Sequence, residues 1–395
     1  MTPTEVAEEF LPFARPDITE DEVEAVTTAL RSGWITTGPS AAAFEREFAD
    51  FLGPDLHAVA VNSATAGLHL ALEALGIGPG DEVLVPTWTF TATAEVVRYL
   101  GATPVLVDVE PGSLNLDFEA AARAVTPRTR AIIPVHFSGL PVSRTTLADF
   151  AAAHDLRVVE DAAHAFPVYS ESRLVGDSAS DAVIFSFYST KTITTGEGGM
   201  LVTSRPELAK RARTMRLHGI SRDVFDRYTS TKPSWHYEVV APGFKYNLTD
   251  LAAAMGRVQL RRAREMASAR KSIADRYNYG LAGLPLTLPQ GPVEANGHAW
   301  HVYSIRLGSD APISRDGFIE ALVERGVGTS VHFIPLHLHP YWRDTYHLAP
   351  EHFPVATEAF GRVVSLPIFS SMTDHDVQRV IAATREVLLG TAGAQ

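Results

Sequence analysis

Between residues 57 and 204, short apolar runs rich in β-branched residues recur at intervals that leave room for a helix. The runs are HAVAV (57–61), EVLVP (82–86), TPVLVDV (103–109), RAIIPVH (130–136), RVVED (157–161), DAVIFSF (181–187) and GGMLVTS (198–204). Helical patterns over 66–75, 91–100, 116–125 and 145–154 separate the first five. Alternation of this kind marks βαβ units, so the chain is predicted to be α/β, with a mainly parallel seven-stranded sheet flanked by helices. Such sheets bind ligands beyond the carboxyl ends of their strands, where helix N-termini and loops converge. Chemistry is therefore sought at those ends.

Ahead of the sheet, helical patterns over 19–31 and 41–52 are joined by SGWITTGP (32–39), which carries more aromatic and hydroxyl groups than a spacer needs and is expected to line a site. After residue 205 the pattern changes to a helix over 206–218, a polar aromatic segment, and a long Ala- and Arg-rich helix over 248–277 that is expected to connect two domains. LAGLPLTLPQGP (281–292), the alternating HAWHVYSIRL (298–307), a helix over 315–325, TSVHF (329–333) and a helix over 374–389 suggest a smaller α+β domain. The expected division is 1–247 and 248–395, with no internal repeat.

Composition narrows the function. A length of 395 residues suits two or three domains, and 46% hydrophobic with 20% charged residues excludes a disordered chain. A net charge of −12 argues against nucleic acid as a partner. The absence of cysteine removes disulfides, thiolate nucleophiles, cysteine-ligated zinc and iron–sulfur clusters. MTPTEVAEEFLPF lacks the basic and apolar regions of a signal peptide, and no apolar stretch reaches the roughly 18 residues of a membrane span. A cytoplasmic location with no membrane partner is expected. The G-x-G-x-x-G, Walker, G-x-S-x-G and H-E-x-x-H motifs are missing. His337 and His339 are metal ligands by type, but no third ligand lies nearby at helical spacing, so packing at a domain junction is the plainer role and no metal is expected.

Four segments carry candidate chemistry. NSATAGL (62–68) lies between the first apolar run and a helix; it is either a plain N-cap by Ser63 or Thr65, or a phosphate seat built from backbone N–H groups. PTWTF (86–90) places Trp88 at a strand end, either as core or as a flat surface for a cofactor ring. RVVED ends in Glu160 and Asp161, carboxylates that are costly to bury without a partner such as a cationic ring nitrogen; His164 either sits on that ring or caps the turn. SFYSTK (186–191) brings Lys191 to the mouth of a buried strand, where a lowered pKa favours the neutral amine that a Schiff base requires. A phosphate cup, an aromatic face, a carboxylate and an amine are the four handles of pyridoxal phosphate (PLP).

These residues resemble the DegT/DnrJ/StrS-type nucleotide-sugar aminotransferases, which have the aspartate-aminotransferase fold (fold type I). GWITTGP (33–39), FEREFADFLG (44–53), NSATAGLHLALEALGIGPGDEVLVPTWTFTATA (62–94), VEDAAHAF (159–166), FSFYSTKTITTGEGGML (185–201), GFKYNLTDLAAAMGRVQL (243–260) and TSVHFIPLHLHPYW (329–342) follow in the family's order. The resemblance implies that Lys191 bonds the cofactor's aldehyde and Asp161 pairs with the ring nitrogen. It also implies that Trp88 stacks on the ring, His164 flanks it, and the Thr65 and Ala66 backbone with Ser186 hold the phosphate. Asn247 would reach the phosphate of a neighbouring subunit, making a homodimer with shared sites; His332, Thr36 and Thr37 would meet the substrate, and Arg222 and Arg227 would grip a diphosphate. Ala64 departs from a frequent glycine.

By the same resemblance, L-glutamate donates an amino group through pyridoxamine phosphate to a keto group of a nucleotide-diphosphate deoxyhexose, commonly dTDP- or UDP-linked. The GFKYNLTD wording favours C4 over C3. The alternatives are a 3-aminotransferase, a sugar dehydratase, a PLP enzyme acting on amino acids, and a non-enzymatic sensor. Dehydratase relatives carry histidine at the lysine position, and one branch needs an iron–sulfur cluster, so Lys191 and the lack of cysteine argue against them.

Overall fold

The computed structural model describes residues 9–220, 237–294 and 297–390. All seven predicted runs are strands of one sheet: β1 (His57–Val61), β2 (Glu82–Pro86), β3 (Thr103–Val107), β4 (Thr129–Ile132), β5 (Arg157–Asp161) and, after the small hairpin β6 (Tyr169–Ser170) and β7 (Arg173–Leu174), β8 (Ala182–Ser186) and β9 (Gly199–Thr203). Their order is β1-β9-β8-β5-β4-β2-β3. Helices join the successive strands from β1 to β5, the β6–β7 hairpin lies between β5 and its parallel neighbour β8, and β8 reaches β9 through a loop without a helix; β9 is antiparallel to both its neighbours.

Alternation along the strands explains the packing. Ala58 and Ala60 of β1 and Val183 and Phe185 of β8 face a cluster containing Phe44, Phe48, Phe166 and Phe187; Val59, Val61 and Ile184 face the helix Ala64–Ala74. Strands covered on both faces read as continuous apolar runs, which is why they were visible in the sequence. Phe48 lies at the centre of the aromatic cluster, 4.9 Å from Phe166 and 5.3 Å from Phe185 between ring centroids.

A second sheet contains β10 (Leu286–Thr287), β11 (Tyr303–Leu307) and β12 (Val363–Leu366). Here the sequence reading needs correction. TSVHF is not a strand: it touches the sheet through a single bridge, Ser330 to Ser365, and the chain then turns inward so that Ser330, His332 and Phe333 line a cavity. The third strand is the fully buried VVSL of β12, and the helices Pro340–Tyr346 and Pro354–Phe360, each opened by a proline in its first turn, were not foreseen. The connecting helix spans Asp250–Gly280. Leu11, near the start of the described chain, pairs with Val327 and joins the core of this second sheet.

Phe48→Ala is expected to lower the unfolding free energy by about 3–5 kcal/mol through cavity formation, as measured by denaturant titration.

Candidate active site

The strands β1, β2, β5 and β8 run in one direction, so their carboxyl ends share one edge of the sheet. A cavity of about 570 Å³ opens there, and the second sheet's side of the molecule closes it with His301, His332 and Phe333. Asp161, His164, Ser186, Lys191, Thr65 and His332, all expected in the site, line it together.

Asp161 ends β5 with 6% of its surface exposed. Its Oδ2 accepts from the Thr93 hydroxyl at 2.9 Å and its Oδ1 from the Ala163 N–H at 3.1 Å, but it makes no ion pair among the described residues. Burial raises its pKa, and these two donors and the Lys191 charge offset that only in part. Glu160, one residue earlier and on the opposite face, is satisfied: His136 donates from Nε2 at 2.8 Å and Ser178 from its hydroxyl at 2.7 Å. His136 Nδ1 takes the Val142 N–H, which fixes this tautomer. Burial raises the Glu160 pKa, but these hydrogen bonds outweigh it and leave the net value lowered.

Lys191 follows β8, the strand paired with β5, in a turn closed by its own N–H to the Tyr188 carbonyl at 2.9 Å. Its ammonium is held down to a pKa of about 8, mainly by desolvation, against the pull of Asp161 and with the help of Arg270. The amine lies 3.3 Å from His301 Nε2. His301 belongs to the alternating HAWHVYSIRL segment, and because it lies 110 positions after Lys191, nothing local in the sequence places the two side by side. Its ring centroid is 4.2 Å from that of buried His164, which in turn stacks on Phe333 at 5.6 Å. Burial keeps His164 and His301 well below the usual imidazole range, and His332 falls to about 4. His332 accepts from or donates to Ser365 at 3.1 Å and stacks on Phe13 at 5.3 Å.

The helix Ala64–Ala74 starts at the cavity, and Ser63 is its N-cap. Ser63 accepts the Ala66 N–H at 3.1 Å, so that donor is occupied, and Ala66 is 3% exposed and does not line the cavity; Ser63, Ala64 and Thr65 do. The reading of Ala66 as a phosphate donor is corrected accordingly. Gly199 opens β9 against the start of this helix: a Cβ there would lie 2.7 Å from the Ser63 carbonyl carbon and 2.8 Å from the Ala64 nitrogen.

Trp88 is likewise corrected. The turn after β2 sends it into the core, fully buried and edge-on to Phe137 at 5.9 Å, while Phe90, 58% exposed, is the aromatic of this segment that lines the cavity. Thr36, Thr37 and Asn247 meet outside this chain's cavity. Asn247 Nδ2 donates to the Thr37 hydroxyl at 2.6 Å, Thr37 donates to the Leu248 carbonyl at 2.5 Å, and the Thr36 carbonyl accepts the Asp250 N–H at 3.0 Å. Arg222 and Arg227 lie outside the described residues. His337 is buried between the hydroxyls of Thr87 and Thr357, at 2.8 and 2.9 Å. Among the described residues no cluster of three acidic or histidine side chains is arranged for a metal, and no helix is long and apolar enough to cross a membrane.

A buried acid and a desolvated amine at adjacent strand ends, beside a helix N-terminus, make a site for covalent amine chemistry on an anionic, nitrogen-bearing ring. Residues 16–385 match the pattern of the DegT/DnrJ/EryC1/StrS aminotransferase family, and the chain belongs to that family. It is 45% identical over 383 residues to the spore coat polysaccharide biosynthesis protein SpsC of Bacillus subtilis, covering 96% of this chain and 98% of that protein. Among solved structures it is similar to the PMP form of the putative sugar aminotransferase Spr1654 from Streptococcus pneumoniae, at TM-score 0.88 and 33% identity over 96% of this chain and 99% of that one. PseC of Helicobacter pylori, an aminotransferase involved in the biosynthesis of pseudoaminic acid, aligns at TM-score 0.88 and 26% identity over 97% and 100% of the two chains.

A carboxyl whose folded pKa is raised contributes stability at low pH that is lost as pH rises through that value. Asp161→Asn should therefore raise the thermal midpoint of the ligand-free protein at neutral pH, by about 1 °C per kcal/mol recovered, with little gain under acid conditions; differential scanning calorimetry at both pH values checks this.

Proposed function

We propose that this chain is a PLP-dependent sugar aminotransferase that moves an amino group from L-glutamate to the C4 keto group of a dTDP-linked keto-deoxyhexose, working as a cytoplasmic homodimer. The observation that carries the reading is the pairing of Asp161 and Lys191 at the ends of adjacent strands in one cavity. The residues fit the cofactor in three ways. Asp161 is a buried carboxylate that has no cation beside it among the described residues, which a protonated ring nitrogen would supply; the helix start borders the cavity at Ser63, Ala64 and Thr65, where a phosphate would sit; and Phe90 and His164 offer ring faces. The sugar reading draws on relatives whose names concern polysaccharide and amino-sugar synthesis, and the C4 preference on the GFKYNLTD segment.

PLP, when bound, supplies an electron-accepting ring that makes the proton on the amino-bearing carbon of the donor removable. Asp161 would face the ring nitrogen and hold a proton there. Lys191 would bond the cofactor's aldehyde; as a free amine with a pKa of about 8 it would be neutral often enough near neutral pH to accept a proton from the donor's α-carbon. Ser186, with the Ser63–Thr65 backbone, would hold the phosphate and keep the reacting atoms within reach of that amine. His332 and Phe13 line the side where a sugar would enter. Asn247 and Thr37, held together outside their own chain's cavity, are proposed to complete the site of a second copy.

Lys191→Ala should abolish both the visible absorbance of bound PLP and amino transfer, a loss of at least about 10³-fold in kcat. Turnover with unchanged colour would refute the assignment. Incubation of the wild-type protein with glutamate and a panel of dTDP- and UDP-keto sugars, followed by NMR of the products, tests substrate and position; amination at C3 would overturn the C4 reading.

A further inference from the structure

Arg270 lies on the connecting helix and is 2% exposed. It makes no ion pair among the described residues. Asp17, the carboxylate acting on it through charge, is bound by the Arg262 guanidinium at 2.7 Å and the Ser370 hydroxyl at 2.9 Å. The Arg270 Nη1 lies 3.2, 3.3 and 2.9 Å from the carbonyl oxygens of Trp300, His301 and Ile368, and its Nε has no partner. Burying a guanidinium against carbonyl dipoles alone is expensive, and hydrogen bonds to three separate carbonyls do not require a charge. What the clamp does secure is the backbone of His301, the residue whose Nε2 sits 3.3 Å from the Lys191 amine.

His301 is unusual in a second respect. Among the described residues its Nδ1 is buried without a partner, so no hydrogen bond there fixes the tautomer, and Nε2 is able to accept from an ammonium or to donate to a neutral amine. It therefore suits a lysine that changes protonation state and repeatedly leaves and rejoins a covalent bond.

We propose that Arg270 and His301 act together as positioning residues for Lys191: the buried guanidinium fixes the His301 backbone, and the imidazole holds the free amine in either protonation state, more strongly as the ammonium, whose hydrogen bond to Nε2 is charge-assisted. This rests on Lys191 being the residue that bonds the cofactor. The titratable groups lining the cavity with the amine are Asp161 on β5, His164 on the turn after it, Tyr188 and Glu197 between β8 and β9, His332 on the inward segment, and His301, with Arg270 behind it. Of these, Asp161 favours the ammonium and Arg270 opposes it.

The test uses the cofactor-free full chain. Trace acetylation by acetic anhydride across pH 6–10, read by mass spectrometry of the Lys191 peptide with Lys210 and Lys245 as internal references, gives the pH at which the amine becomes half reactive. The wild-type half-point is expected at about 8. Arg270→Gln keeps hydrogen-bond donors and removes the charge, and should move it up by roughly half a unit or more. His301→Phe leaves the backbone clamp in place and removes the acceptor, and should move it down. A merely structural role moves neither, and a half-point that stays at the wild-type value in either variant overturns the proposal. His301→Phe keeps the test decisive if Arg270→Gln does not fold. Adding PLP to the wild-type protein separates the two readings: failure to protect Lys191 from acetylation sinks the cofactor assignment, whereas protection with unmoved half-points sinks only the roles of Arg270 and His301.

Discussion

The site depends on leaving two buried groups incompletely satisfied on neighbouring strands. Among the described residues, Asp161 has two hydrogen-bond donors but no cation, and Lys191 has a histidine but no carboxylate within ion-pair distance. Each group resists its charged form, so the acid is poised to welcome a cationic ring and the amine to act as a base. Glu160 shows that this is a property of position. It shares the strand and the burial of Asp161, yet His136 and Ser178 fill its lone pairs and it stays ionised. Alternation along β5 thus turns two consecutive acids toward opposite faces, one toward the structural interior and one toward the cavity.

Unsatisfied groups hold their places only if the frame around them is stiff. The phenylalanine cluster behind β8 and the helix covering the other face confine the strand that leads to Lys191. Thr93, itself hydrogen-bonded to Thr89 at 2.8 Å, aims its hydroxyl at Asp161. Stability is concentrated in the sheet and its covering layers, and the cavity rim carries the groups that weaken it. This division is the usual relation between a rigid scaffold and a reactive site.

Features encoded locally were legible in the sequence. The seven strands announced themselves because runs buried on both faces are apolar throughout, and Asp161, Ser186 and Lys191 were found because each ends or follows such a run. Features that depend on folding at long range were not. His301 meets Lys191 across 110 residues, Arg270 approaches from the connecting helix, and Phe13 reaches His332 from the start of the chain. Trp88 and Phe90 differ by two positions in a turn, and aromatic character alone does not say which one the turn buries. TSVHF and VVSL are equally strand-like in composition; only the cavity's need for His332 and Phe333 distinguishes them.

The departure at Ala64 resolves in the same physical terms. Ser63 is extended at φ −166°, and the helix begins at Ala64, where a side chain is compatible with helical backbone and the residue still lines the cavity. The position that does not tolerate a side chain is on the opposite strand, at Gly199, where a Cβ would strike the backbone of Ser63, Ala64 and Phe185 within 2.9 Å. Close approach between a strand and a helix start is a property of the pair. A glycine on either partner admits it, and here β9 supplies the glycine, leaving the helix free to open with an alanine.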